Sequence, residues 1–219
     1  MTALPLGPAA TARGPLSFTH RFVPATDPSA APLLLLHGTG GDENDLLPLG
    51  RMLSPGAALL SPRGKISEGG MPRFFRRLAE GVFDEEDVVR RANELADFIG
   101  EARAAYGLAA PVAVGFSNGA NIAAAMLMLR PDALSGAALL RAMVPLANPP
   151  AGSIAGTPVL LLSGSADPIV PAANAARLAA QLGARGARVE HRVLPGGHGL
   201  MPADMSAMRD WLARTAPAA

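Results

Sequence analysis

A serine flanked by glycines, in Gly115-Phe116-Ser117-Asn118-Gly119, is the stretch of this chain best suited to covalent chemistry. A serine hydroxyl attacks a carbonyl only when a base takes its proton and its backbone holds it clear of its surroundings. Residues 111–114 (Pro-Val-Ala-Val) before it read as a short strand, and residues 120–129, rich in Ala, Met and Leu, read as a helix. Strand, tight turn and helix make Gly-x-Ser-x-Gly a nucleophile elbow, with glycines where strand and helix come too close for a Cβ. The following helix would aim its free N–H groups at the reacting centre. Without that context the same five residues are a Gly-rich turn.

A base and an orienting acid must come from elsewhere. In an α/β-hydrolase arrangement they follow the serine in the order acid, then histidine. Two histidines follow Ser117. His191 alternates with Val189 and Val193 and reads as a structural strand histidine, whereas His198 lies in Gly196-Gly197-His198-Gly199, just beyond that strand. Open α/β sheets hold their ligands at the carboxyl ends of strands, so His198 is the expected base; a turn histidine is the alternative. The acids between Ser117 and His198 are Asp132, Asp167 and Glu190. Asp132 falls where the elbow helix should end and Glu190 falls inside a strand. Asp167, at the end of the apolar run 159–162, has the right address to hold the imidazole in one tautomer; an Asp capping the next helix is the alternative. His37 precedes the serine and sits on a buried strand, which makes it a poor candidate for the base. The loop His37-Gly38-Thr39-Gly40-Gly41 instead offers backbone N–H groups, so the backbones of Thr39 and Asn118 are the expected oxyanion hole.

Positioning these residues takes a parallel sheet. The apolar runs 33–36 and 159–162 are of the kind buried on both faces, and 57–60 and 136–140 are further short strands. Phe18, His20 and Phe22 alternate as in a half-buried strand. Helices are expected over 85–106, 171–183 and 201–214, and from the acidic turn Asp42-Glu43-Asn44 onward to residue 53. Residues 62–81 and 144–156 read as irregular. Strands alternating with helices predict parallel βαβ units with helices on both faces; together with the elbow they make an α/β-hydrolase fold, with a mostly parallel central sheet and no large cap domain, the expectation. Residues 1–15 read as a flexible arm and 16–219 as one domain.

Composition narrows the chemistry. Hydrophobic residues make up 49% of 219, enough for a sizeable core, and the formal charge of +1 gives no field for nucleic acid. With no cysteine there is no thiolate zinc site, disulfide or Cys nucleophile. The histidines show no metal-ligand spacing, so no built-in metal is expected. The chain shows no leader pattern and no membrane-spanning apolar run, and membrane insertion is not expected. A cytoplasmic location fits the cysteine-free composition.

With these pieces in place the chain resembles the phospholipase/carboxylesterase family of α/β-hydrolases, compact serine esterases related to acyl-protein thioesterases. The resemblance spans residues 33–212. It rests on Leu36-His37-Gly38-Thr39-Gly40-Gly41-Asp42-Glu43, the elbow, Gly164-Ser165-Ala166-Asp167-Pro168 and Gly197-His198. Gly70-Met71-Pro72-Arg73-Phe74-Phe75-Arg76-Arg77, followed by Glu80-Gly81-Val82-Phe83-Asp84, is similar to a bacterial branch of carboxylesterases. The resemblance implies a cofactor-free esterase, active on small-molecule esters of short or medium acyl chain and often a homodimer. Acyl-protein thioesterases usually carry Gln at the position of Asn118 and Leu at that of Thr39, which weakens a transfer of their long-chain thioester substrates.

Phe74, Phe75 and Phe83 either wall an acyl pocket or pack their loop on the body, and Met143 and Val144 are further pocket candidates. Arg73 or Arg76 faces an anionic substrate group, or, as we expect, the arginines of this stretch pair with Glu80, Asp84, Glu85, Glu86 or Asp87. The expected activity is carboxylester hydrolysis by Ser117, Asp167 and His198. A thioesterase or lysophospholipase is the alternative within enzymes, and a non-catalytic binding module the alternative outside them.

Overall fold

A computed structural model of the protein describes residues 16–215; the arm expected over 1–15 lies outside them. The strands expected from the apolar runs form one seven-stranded sheet. It contains β1 (His20–Val23), β2 (Leu33–Leu36) and β3 (Leu59–Pro62). Two short hairpins follow, β4 (Ile66–Glu68) with β5 (Met71–Arg73) and β6 (Arg77–Ala79) with β7 (Val82–Phe83). The sheet continues with β8 (Val112–Phe116), β9 (Gly136–Leu140), β10 (Pro158–Gly164) and β11 (Arg188–Leu194). Its order is β1-β3-β2-β8-β9-β10-β11, with β1 antiparallel to β3 and every other pairing parallel, so β1 and β11 are its edges.

Each apolar strand feeds two cores, because alternate side chains leave opposite faces. Leu34 and Leu36 of β2 join one cluster, whereas Leu33 and Leu35 join the other. The first is covered by α2 (Glu85–Tyr106), α3 (Asn118–Leu129) and α4 (Ala172–Ala184). The second is covered by α1 (Leu47–Leu53) and α5 (Pro202–Thr215), whose Trp211 is buried there. The result is three layers with helices on both faces and, among the described residues, no cap domain. α2 has the boundaries its sequence dictates. Asp84 accepts from the Asp87 N–H, three acids occupy the first turn, and Gly107 ends the helix at φ +68°. Among the described residues no helix is long and apolar enough to cross a membrane.

Two expectations need correction. α1 starts at Leu47, not at the acidic turn. The Asp42 carboxylate accepts from the Asn44 N–H in a local turn and Glu43 pairs with Arg63, so neither serves as a first-turn acid. Residues 62–81 are not irregular: they hold three of the four short strands of the two hairpins, with β7 just beyond, and this region forms one wall of the site described next.

Candidate active site

Ser117 sits between β8 and α3 at φ +52° and ψ −112°, one of two described non-glycine residues with positive φ. Its N–H donates to Leu140 O (2.8 Å), and its carbonyl accepts the Asn121 N–H (3.0 Å), which clamps the turn from both sides. The flanking glycines answer to close approach. A Cβ on Gly119 would stand 2.1 Å from Leu36 O, and one on Gly115 would stand 2.6 Å from Gly119 O.

Three side chains from three separate strand ends converge here. His198 Nε2 lies 2.9 Å from Ser117 Oγ, and its Nδ1 lies 2.9 Å from Asp167 Oδ2 and 3.2 Å from Oδ1. Asp167 also accepts from the N–H groups of Ile169 (2.8 Å) and Val170 (3.0 Å), so the capping role and the contact with histidine coexist. Burial pushes the Asp167 carboxyl up. The donors from Ile169 and Val170 and the His198 imidazole outweigh it and hold the group below the usual carboxylate range. An ionised Asp167 accepts from Nδ1–H, which leaves Nε2 free to take a proton from serine. Phe116 packs against the imidazole at 5.4 Å between centroids. His191 lies apart and contacts Ser163 Oγ at 3.0 Å.

Thr39 and Asn118 border the same cavity as Ser117 and His198. Asn118 opens α3, so its N–H has no carbonyl one turn earlier in the helix to bond. Both side chains are engaged elsewhere. Thr39 Oγ1 accepts from Arg73 (2.6 Å) and Asn118 Oδ1 accepts from the Phe74 N–H (2.7 Å), which ties the loop after β2 and the elbow to the residues after β5.

His37 fixes the loop and lies apart from the contacts among Ser117, His198 and Asp167. Its ring is buried, Nε2 accepts from the Gly64 N–H (3.0 Å), and Nδ1 donates to Gly38 O (2.7 Å). Burial pushes its pKa down, against weaker upward pulls from the Gly38 carbonyl, Asp45, Asp42 and Glu43. A histidine kept neutral in the fold costs stability once its unfolded counterpart takes a proton, below about pH 6.5. The His37 contribution to urea stability should therefore be flat above about pH 7 and grow more unfavourable as pH falls through 6. His37→Asn cannot titrate and should lose stability less steeply over that range, from whatever starting value; His191, depressed by burial in the same way, keeps its share in both proteins. Equal slopes would show that His37 is not among the groups taking up protons.

The cavity has a volume of about 230 Å³. Its apolar side is made by Phe83, Phe116, Met143, Ile169 and Val170. Of the pocket candidates, Phe83 and Met143 face it, while Phe74, Phe75 and Val144 pack within the first core instead. Phe74 lies over His37 at 4.7 Å and Phe75 meets Phe83 edge-on at 5.1 Å, so these rings back the wall without forming its surface. The arginines pair with acids, although Glu68, which takes two of them, was not among the expected partners. Arg76 bonds Asp84 at 2.6 Å and Arg77 bonds Glu68 at 2.7 Å; Glu68 also takes Arg73 at 3.2 Å. Arg73 is nonetheless 3% exposed and, with Arg77 and Glu80, gives the cavity a charged side that its phenylalanines did not suggest.

Residues 19–216 match the model of the phospholipase/carboxylesterase family. The chain belongs to that family. It is 46% identical over 181 residues to the putative hydrolase MhqD of Bacillus subtilis, covering 82% of this chain and 90% of that one. Among solved structures it is similar to the Bacillus cereus carboxylesterase, with 42% identity, 92% and 96% of the two chains covered and a TM-score of 0.89. It is also similar to a carboxylesterase from Mesorhizobium loti, with 35% identity, 94% and 98% coverage and a TM-score of 0.87.

Two features of this family member escaped the sequence reading. Asn121, one turn into α3, lines the cavity and accepts the Met143 N–H at 2.8 Å. Arg141 lines it too, fully buried and at φ +56°. A signal for Arg141 was present: it is a single charge inside the apolar run Ala138-Leu139-Leu140-Arg141-Ala142-Met143, and an arginine is rarely buried without a partner.

Proposed function

We propose that this hydrolase cleaves carboxylic esters of short to medium acyl chain through an acyl-enzyme on Ser117. The observation that carries the reading is the unbroken line from Asp167 through His198 to Ser117 Oγ, with 2.9 Å at each step. His198 Nε2 accepts the hydroxyl proton as Oγ bonds to the ester carbonyl carbon. Asp167 holds the imidazolium that results. The oxyanion of the tetrahedral intermediate receives hydrogen bonds from the N–H groups of Thr39 and Asn118, at the start of a helix whose dipole favours negative charge there. The intermediate collapses as His198 returns the proton to the leaving alcohol. A water, deprotonated by the same nitrogen, then releases the acid. Labelling by a fluorophosphonate probe tests the reading: the wild type should be modified at Ser117, and a well-folded protein that resists the probe would favour a non-catalytic binding module. Turnover of an oxygen ester against a thioester of the same acyl group separates the two hydrolytic activities. The cysteine-free composition supports action in the cytoplasm.

The acyl preference follows from volume. About 230 Å³ is below the ~300–1,000 Å³ typical of small-molecule sites, and Phe83 and Met143 are bulky wall residues. Each methylene that finds apolar cover contributes ~0.8 kcal/mol, about fourfold in kcat/KM. Across nitrophenyl esters from acetate to palmitate, kcat/KM should climb over the first few carbons and then stop. A steady climb through the dodecanoyl and palmitoyl esters, below their micelle concentrations, would mean an open groove in place of this cavity.

A further inference from the structure

Arg141 follows β9 and belongs to no part of the triad, yet it reaches the loop that carries the histidine. Its Nε donates to Gly197 O (2.9 Å) and its Nη2 donates to Gly199 O (3.2 Å), the carbonyls on either side of His198. The rest of the guanidinium's capacity goes to Leu162 O on β10, which Nη1 reaches at 3.3 Å, and to Asp204 at the start of α5. Nη1 meets Oδ1 at 3.0 Å and Nη2 meets Oδ2 at 2.7 Å, a two-pronged pair in which both side chains are 0% exposed. Asp204 Oδ2 in turn accepts the Met201 N–H (2.8 Å), which pins the far end of the same loop. The Arg141 backbone is equally fixed, since its N–H donates to Leu162 O (2.8 Å) on β10.

The loop needs such a hold. It is rich in glycine, with Gly196 at φ +141°, and no helix or strand bond reaches residues 197–199. Glycine leaves the chain many conformations, whereas proton transfer from Ser117 needs His198 fixed to a fraction of an ångström. One planar cation gripping the carbonyls before and after His198 removes the swing of that residue about the loop axis. A lysine could not do so, because it offers a point charge in place of a rigid fork.

We infer that Arg141 and Asp204 are positioning residues, a buried pair whose role is to hold His198 between Ser117 and Asp167. The inference rests on the serine-esterase reading proposed above. The competing account is a purely structural ion pair that joins β9 to α5. Removing one partner of a buried pair destabilises for either reason, whereas replacing both by apolar side chains often restores stability. The two accounts therefore part at the double variant.

The experiment compares wild type, Asp204→Asn, Arg141→Lys and the double variant Arg141→Met/Asp204→Leu. For each, urea stability, kcat and KM for nitrophenyl acetate, the rate of fluorophosphonate labelling and the downfield imidazole N–H proton resonance are measured. The pair should act on kcat rather than KM. We expect kcat and the labelling rate to fall together by about 30- to 100-fold in each single variant, with KM within about threefold, in the range that the loss of orienting partners produces elsewhere. The downfield resonance should broaden or vanish. If a single variant does not fold, the double variant decides: stability should recover while kcat and labelling stay low. Activity that returns with stability in the double variant, or single variants whose folded fraction turns over at the wild-type rate, would overturn the inference. A wild type that resists the probe would defeat the esterase reading itself, a result distinct from equal labelling of wild type and variants.

Discussion

Replacing Ser117 by alanine is expected to lower kcat for nitrophenyl acetate on the order of a millionfold, with little change in KM, because triad members act as one unit. The Ser117→Ala/His198→Ala double variant should be no slower than either single one, since each already removes proton transfer through Nε2. Stability should separate two replacements that activity cannot. Ser117 is held at φ +52° and ψ −112°, where a Cβ costs about 1–3 kcal/mol. Ser117→Ala keeps the Cβ and its strain; Ser117→Gly loses both, and should be the more stable of the two by about 1 kcal/mol after the extra freedom of unfolded glycine is subtracted. Residual turnover in Ser117→Ala within tenfold of wild type would assign the chemistry to another group.

Gly119→Ala should be the most damaging single methyl added to this protein. Its Cβ would meet Leu36 O at 2.1 Å, Leu36 C at 2.5 Å and His37 O at 2.6 Å. These are backbone atoms of a central strand with no side chain to turn aside, so either α3 must lift from β2 or the strand must bend. We expect a loss of at least ~4 kcal/mol, a large share of the ~5–15 kcal/mol that holds a domain of this kind. Urea unfolding reads it directly. Gly100→Ala in α2 is the control. Nothing lies within 4 Å of its added methyl, so it should gain ~0.5–1 kcal/mol from helix propensity. Variants of equal stability at the two positions would show that the elbow packs more loosely than described.

What could be read from the sequence follows from how strongly each element is specified. β2, β9 and β10 are apolar runs buried on both faces, and α2 carries its own cap, its first-turn acids and a terminal glycine. Such elements need no tertiary information. The spacing of Ser117, Asp167 and His198 along the chain was legible because each follows a strand, apolar before Ser117 and Asp167 and alternating before His198, and strand ends meet at one edge of a parallel sheet. The hairpins of residues 66–83 were not. Their strands run two or three residues, one contains Pro72, and their polar residues answer to partners far along the chain, as Arg73 does to Thr39. The same blindness affected the phenylalanines. Phe74 and Phe75 are as apolar as Phe83, and only the path of the hairpins decides which ring faces the cavity. Asp42 and Glu43 looked like helix-start acids because sequence shows charge without showing its partner.

The edge strand β11 has one further consequence, for how copies of this protein meet. Its outer backbone groups have no partner strand within the described chain, the arrangement that invites strand addition and aggregation. Arg188, Glu190 and Arg192 alternate along it, and Arg192 and Arg214 both pair with Glu190. Two copies laid antiparallel about Glu190 would set glutamate against glutamate and Arg188 against Arg192. Laid parallel and in register, they would set each charge against its own kind. Like charges directly opposite destabilise a ladder, so these two symmetric registers are disfavoured. The opposite edge, β1, has only four residues to offer. One margin is thus short and the other sets like charges together in its symmetric registers, which makes the sheet a poor template for growing from one molecule into the next.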